Sequence, residues 1–165
     1  MPDKKIFYPL LDIENVLPIL NKITVFGGLN DAQLFKIFKI LEKVEYNQGE
    51  YIYRVGSAPS HIYILESGEI KVIVESGQIS LEILTLKVGD CFGETSVIGI
   101  QPHSSSTIAT KKTELIVLER KALLNIYDSD KTLFGLLILN IARETSRHLH
   151  KLDKILIDYY LSQKK

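Results

Sequence analysis

The hydrophobic positions along the chain change period twice. Leu34, Phe35, Ile37, Phe38, Ile40 and Leu41 recur at helical spacing. Asn30 precedes them as an N-cap, and Gln33 three residues later completes a capping-box pattern, so an amphipathic helix is predicted from Asn30 to about Glu42. From Val44 to Glu119 the period shortens. Runs rich in Ile, Val and Tyr ("YIYR", "HIYILE", "EIKVIVE", "SLEILTL", "TELIVLE") are separated by Gly-containing turns at Gly49, Gly56, Gly68, Gly77 and Gly89. Short strands at such regular turn intervals predict an all-β roll or barrel. From Lys121 the helical period returns. Leu133, Leu136, Leu137, Ile138, Ile141, Leu149, Leu152, Ile155 and Leu156 lie on one long segment. Its positions 138, 141, 145, 148, 152, 155 and 159 are spaced alternately three and four apart, with Thr145 and His148 interrupting an apolar seam. That seam reads either as a helix packed along its own domain or as a homodimer contact. The first thirty residues read as short helical pieces broken by Pro2, Pro9 and Pro18. Three segments follow: an N-terminal helical segment, residues 1–29; a β-roll with its leading helix, 30–120; and a hinge with a lid or dimerisation helix, 121–165.

Composition narrows the partners. Across 165 residues, 20 basic side chains balance 20 acidic ones, and no Lys/Arg run exceeds two residues. No global field therefore favours polyanions. The N-terminus has neither an apolar h-region nor a small-residue cleavage site, and "LFGLLIL" is far too short to span a bilayer, so a cytoplasmic protein with no membrane partner is expected. The lone Cys91 cannot form an intramolecular disulfide, which fits a reducing compartment.

Three stretches carry more specific chemistry: "NQGEYIYRVGSAPSHIYILESGEIKVIV", "LKVGDCFGETSVIGIQPHSSSTIA" and "ELIVLERKALLNI". In that order they resemble the cyclic nucleotide-binding domain of bacterial transcription regulators, kinase regulatory subunits and gated channels. The resemblance runs from about Phe26 through the roll and more loosely into the C-terminal helices, roughly three quarters of the chain. It implies a mainly β fold with flanking helices: an antiparallel β-roll of the double-stranded β-helix or jelly-roll type, N-terminal helices and a long C-terminal helix. It also implies a cyclic nucleotide, cAMP or cGMP, as ligand, with no other cofactor.

Within the family's phosphate-binding cassette, "FGE" opens a single helical turn whose outward N–H groups suit an anion. Gly93, Glu94, Thr95 and Ser96 are therefore the candidate phosphate cradle. Glu94 matches the family's glutamate, which accepts a hydrogen bond from the ribose 2′-hydroxyl; the alternative is that it merely caps the turn. At His103 the chain departs from the family. In ungapped register the family's Pro-Arg-Ser-Ala-Thr becomes Pro102, His103, Ser104, Ser105, Ser106. The missing arginine would have gripped the cyclic phosphate with a planar, permanently charged fork. A register with a one-residue gap aligns Ser104 and Thr107 with the arginine and threonine, and again supplies no arginine. A hydrogen bond to a charged group is worth about 1.5–3 kcal/mol, so the loss corresponds to roughly one to two decades of affinity. If His103 takes the arginine's place, binding should tighten as pH falls through its titration near ~6.5. Ser104, next to that position, stays in the candidate site.

Other chemistries lack the necessary residues. His61 and His103 stand alone, while His148 and His150 point to different faces of a helix, so no metal cluster is expected. No Gly-x-Ser-x-Gly nucleophile motif is present, and a non-enzyme is expected. Cys91 beside the cradle reads as a small buried apolar residue or as an activated thiol at a helix start. Only about nine residues follow Leu156, too few for the helix-turn-helix that the family's transcription regulators carry, so no DNA partner is expected. The preferred reading is a sensor module in which phosphate draws the Val97 to Ile100 region inward. A hinge near Leu123 to Tyr127 then folds the last helix over the base, with Tyr159 or Tyr160 as a lid, and the helix reports occupancy to an unknown protein partner. The alternatives are a ligand-free protein-interaction scaffold and a sensor of another anion such as a cyclic dinucleotide.

Overall fold

In the computed structural model the chain is described at residues 5–11, 16, 18, 20, 21, 23–76 and 79–163. The expected turn at Gly77 lies outside them. Nine strands are present among the described residues: β1 (Tyr8–Pro9), β2 (Leu41–Tyr46), β3 (Tyr51–Tyr53), β4 (His61–Ser67), β5 (Ile70–Ser76), β6 (Ile79–Leu86), β7 (Cys91–Phe92), β8 (Ser106–Ala109) and β9 (Thr113–Glu119). They form two antiparallel sheets, ordered β1-β2-β9-β4-β7 and β3-β8-β5-β6. The helices are α1 (Asp31–Phe38), α2 (Glu94–Gly99), α3 (Arg120–Ser129) and α4 (Lys131–Ser162), with a 3-10 turn at Thr24–Phe26. This is the mainly β roll with flanking helices that the sequence implied.

The five-stranded sheet separates two apolar cores, and the strands' alternation decides which residue joins which. On β4, Ile62 and Ile64 face the helices while Tyr63 and Leu65 face the roll interior. β9 does the same with Ile116 and Leu118 against Leu115 and Val117. Both faces are covered, so these strands read as nearly continuous apolar runs rather than alternating ones. Each buried side chain of this size contributes about 1.5–3 kcal/mol.

Several boundaries differ from expectation. The capping box is present: Asn30 Oδ1 accepts from Gln33 N at 2.9 Å, and Gln33 Oε1 accepts from Asn30 N at 3.0 Å. The helix it starts stops at Phe38, not near Glu42. Leu41 is already paired with Leu118 in the β2–β9 ladder, so residues that continue the helical period serve as a strand. The N-terminal segment, expected to be helical, is helical at Val16, Pro18 and Leu20 and in the 3-10 turn, but it also contributes β1, which pairs with β2 through Tyr8 opposite Lys43 and Pro9 opposite Glu42. Proline is tolerated there because β1 is an edge strand.

The expected hinge at Leu123–Tyr127 is instead the interior of α3, where Leu123 and Ile126 are buried. The break falls at Asp130, whose backbone (φ −155°, ψ 85°) leaves the helical region. Its carboxylate caps α4 by accepting from Leu133 N at 3.0 Å and pairs with Lys36 of α1 at 2.6 Å. Along α4, Ile138 and Ile141 pack on the helical core, whereas Leu152, Ile155, Leu156 and Tyr159 are exposed. The heptad-like seam is thus divided: its first half covers its own domain, and its second half is left bare.

Candidate functional site

The cassette begins where β7 runs into α2. Gly93 has φ +82°, and a Cβ added there would lie 3.0 Å from the His61 carbonyl oxygen and 3.1 Å from Tyr63 Cδ2. Only glycine allows the chain to turn this tightly against β4. The short helix ends at Ile100, the one non-glycine residue with positive φ (53°) among the described residues. A β-branched side chain in that region costs roughly 1–2 kcal/mol, and this one is solvent-exposed.

Glu94 is 1% exposed, and its Oε1 accepts a 2.9 Å hydrogen bond from His148 Nδ1 on α4. That contact holds the His148 imidazole's pKa above its ordinary value, outweighing its burial; Glu144 adds to the rise and Lys151 opposes it. His148 Nε2, itself buried without a hydrogen-bond partner, stands 3.7 Å from Glu144 Oε1. Glu144 pairs with Arg147 and accepts from Thr24 Oγ1 at 2.7 Å. One turn earlier, Asn140 Nδ2 donates to the carbonyls of Val25 (3.1 Å) and Gly27 (2.8 Å). Asn140, Glu144 and His148 thus form a polar row that ties α4 to the N-terminal turn and to the cassette. Along the sequence His148 interrupts an apolar seam and has no second histidine at helical spacing to share a metal. The available signal was the four-residue spacing of three polar side chains on a stripe otherwise meant for the core.

The second half of the expected site lies elsewhere. His103 is 4% exposed and stacks on Tyr53 at a centroid distance of 3.7 Å and an interplanar angle of 10°. Desolvation pushes its pKa below the ordinary histidine value, so the titration expected near ~6.5 moves to more acidic pH and the ring is neutral at neutral pH. Its backbone is clasped by the β3–β4 loop, with Gly56 N donating to His103 O at 2.7 Å and His103 N donating to Ser57 O at 3.0 Å. Tyr53 also packs beside Tyr63 and Phe92, and its phenol is pushed far up by burial, with the Glu94 carboxylate adding to the shift. The Tyr53 ring, which sequence reasoning passed over as one more strand residue, therefore senses both halves of the expected site. Ser96 is buried, while Thr95 and Ser104 are exposed.

A cavity of about 680 Å³ opens beside His103, walled by Phe7, Tyr51, Tyr53, Arg54 and His61, with the Lys5–Glu50 ion pair (2.5 Å) at its edge. His103 lines it; Gly93, Glu94, Thr95, Ser96 and Ser104 do not. Glu94 and His103, expected to share one ligand, are thus brought into one region but not into one open pocket.

Cys91 is fully buried, and burial pushes its thiol well above the ordinary range, which leaves the small apolar reading and removes the activated thiol. Among the described residues no three His, Cys, Asp or Glu side chains are grouped to hold a metal ion. No helix among them is long and apolar enough to cross a membrane. The exposed Tyr159 and Tyr160 lie near the C-terminal end of α4.

A family model described as "Cyclic nucleotide-binding domain" matches residues 43–130. A cGMP-dependent protein kinase of Caenorhabditis briggsae is 28% identical over 110 residues, which is 65% of this chain and 15% of the kinase. The chain thus spans a small fraction of that relative's length. A crystal structure of a cyclic nucleotide-binding domain from Methylobacillus flagellatus superposes with a TM-score of 0.80 at 22% identity, covering 94% of this chain and 88% of that one. The regulatory subunit of a cAMP-independent protein kinase A from Trypanosoma cruzi, bound to guanosine, superposes with a TM-score of 0.69 at 20% identity, covering 86% and 50% of the two chains. At those identities the two structures speak for the fold alone.

Proposed function

This chain belongs to the cyclic nucleotide-binding domain family, and on that premise we propose that it senses a cyclic mononucleotide, cAMP or cGMP, and reports its presence through α4. The observation that carries this reading is the bond between Glu94 and His148. Glu94 occupies the position whose carboxylate, in the family, accepts from the ribose 2′-hydroxyl. Here that carboxylate is already used by the long helix. A ribose arriving at Glu94 must share or displace His148, so occupancy and the position of α4 are linked through one side chain. The amides of Gly93, Glu94, Thr95 and Ser96 would cradle the phosphate, with Ser104 beside it. Because α4 is held to the body at Asn140, Glu144 and His148 and is exposed from Leu149 onward, release of His148 would loosen the last point of attachment before the bare end. The exposed Leu152, Ile155 and Leu156 would then meet a protein partner or a second copy of the chain. On this reading the protein is a binding module and not an enzyme.

The stacking of the buried His103 on the partly buried Tyr53 and the sealed Glu94 favour one second reading, a scaffold that keeps the fold without the ligand. Titration calorimetry and thermal melts of the full chain with cAMP, cGMP, a cyclic dinucleotide, adenosine and guanosine separate the readings. The sensor reading expects heat and stabilisation with cAMP or cGMP, together with a shift of the His148 side-chain resonances in NMR. No heat and no stabilisation at millimolar nucleotide sinks it and leaves the scaffold.

A further inference from the structure

Both ring nitrogens of His148 face carboxylates. Nδ1 lies 2.9 Å from Glu94 Oε1 on α2, and Nε2 lies 3.7 Å from Glu144 Oε1 one turn earlier on α4. With Nδ1 donating to Glu94, a neutral ring would aim the lone pair of Nε2 at a second anion; only the doubly protonated ring turns an N–H toward each. The surroundings agree. Glu94 is 1% and Glu144 5% exposed, so water screens neither charge well. The Tyr53 phenol from β3 and the Cys91 thiol from β7 both feel Glu94, and both are pushed up, so they stay neutral and add no competing charge. Glu144 is shared with Arg147 and with the Thr24 hydroxyl of the 3-10 turn. Lys151, on the same helix, works against the charge on His148 and is outweighed. In this arrangement the polar row holds a proton on His148 at neutral pH.

Glu94 is also the group that a ribose 2′-hydroxyl would use. A hydroxyl is a neutral donor: it replaces the hydrogen bond but brings no positive charge. An imidazolium displaced from Glu94 loses the contact that held its proton. Because α4 is exposed from Leu149 onward, the displaced ring can reach water, where it titrates near ~6.5. The cyclic phosphate, a diester anion, exchanges no proton near neutrality, and its charge stays with the amides of α2 while the ring departs with α4.

We propose that a cyclic nucleotide binding at Glu94 discharges a proton from His148 to solvent, so that protons and nucleotide oppose each other at one carboxylate and the module reads both together. This rests on the reading of the chain as a cyclic nucleotide sensor. The bond that breaks is an N–H of the displaced ring; the proton passes to the buffer and a neutral imidazole remains. Below ~6.5 both states are protonated, and above the raised value of the Glu94-bound ring both are neutral, so release is confined to the interval between. Within it affinity rises with pH, the opposite of the sign expected from His103. That ring is stacked on Tyr53 and held toward its neutral form, and has no proton to give over this range.

Titration calorimetry of the full chain with cAMP and cGMP in phosphate, HEPES and Tris, buffers whose ionisation enthalpies differ, counts the protons exchanged. The expected result is release of part of a proton at about pH 7, fading by about pH 5, with affinity about three- to tenfold higher at about pH 8 than at about pH 6. His148→Asn, which keeps an amide N–H near the place of Nδ1 but does not titrate, should bind with neither buffer-dependent heat nor a pH slope, and Glu144→Gln should release less. Following the His148 ring by NMR against pH, in the unaltered chain free and saturated with nucleotide, gives the answer without a substitution: the ring should titrate at lower pH when nucleotide is bound. Nucleotide binding without proton release, with proton uptake, or with a release that survives His148→Asn overturns this inference and leaves the sensor reading standing. Absence of nucleotide binding by the unaltered chain overturns both.

Discussion

Replacing His148 with alanine removes the partner of a carboxylate that is 1% exposed. A hydrogen bond to a charged group contributes about 1.5–3 kcal/mol, and a buried carboxylate left alone is costly in its own right. The loss is set at the lower end of buried-pair values because the helix beyond Leu149 is exposed and can move to admit water. For a chain of this size 1 kcal/mol corresponds to about 2–4 °C in Tm, so His148→Ala should melt about 3–12 °C lower. The pH dependence follows from the direction of the shift. Glu94 raises the folded-state pKa of His148 above its unfolded value near ~6.5. The stabilisation is therefore complete below the unfolded value and disappears as pH rises through the raised folded one. Glu144 supports this sign and Lys151 opposes it. Calorimetric melts of the unaltered chain, His148→Ala, Glu94→Gln and the double variant at about pH 6 and about pH 9 form the assay. A His148→Ala penalty no larger at the lower pH, or a coupling energy with Glu94 below about 0.5 kcal/mol, refutes the pairing as a source of stability.

Two further outcomes are expected. Gly93→Ala should cost about 2 kcal/mol or more, because the residue combines φ +82° with a Cβ position 3.0 Å from a backbone oxygen, whereas Ile100→Gly should stabilise by about 1 kcal/mol by relieving φ 53° at an exposed position; urea titrations that give both variants the same sign contradict this. If the bare end of α4 pairs with a second copy, sedimentation velocity should show a dimer that Leu152→Glu and Leu156→Glu convert to monomer, while a monomer at every concentration leaves that face to a different partner.

Elements whose signals are local can be read directly along the chain. The capping box at Asn30 and Gln33 needs only three residues, and the strand runs at 51–53, 61–67, 70–76 and 113–119 follow from β-branched and aromatic composition between turns. Family likeness, also local in its motifs, placed Gly93 and Glu94 at the start of the cassette helix. What the tertiary structure alone decided were the choices between partners. Leu41 suits a helix or a strand equally, and its pairing with Leu118 settles the matter. Pro9 belongs to β1 only because β2 leaves an edge beside it. His148 looked like a flaw in an apolar seam because nothing near it in sequence reveals that Glu94, 54 residues away, needs a donor. Arg54 and His103 share a cavity only because the β3–β4 loop is hydrogen-bonded to the end of the cassette. Backbone propensity and turn chemistry act over a few residues and can be read in order along the chain. Burial and charge pairing join residues that only the folded chain brings together, and they decided how this site is closed.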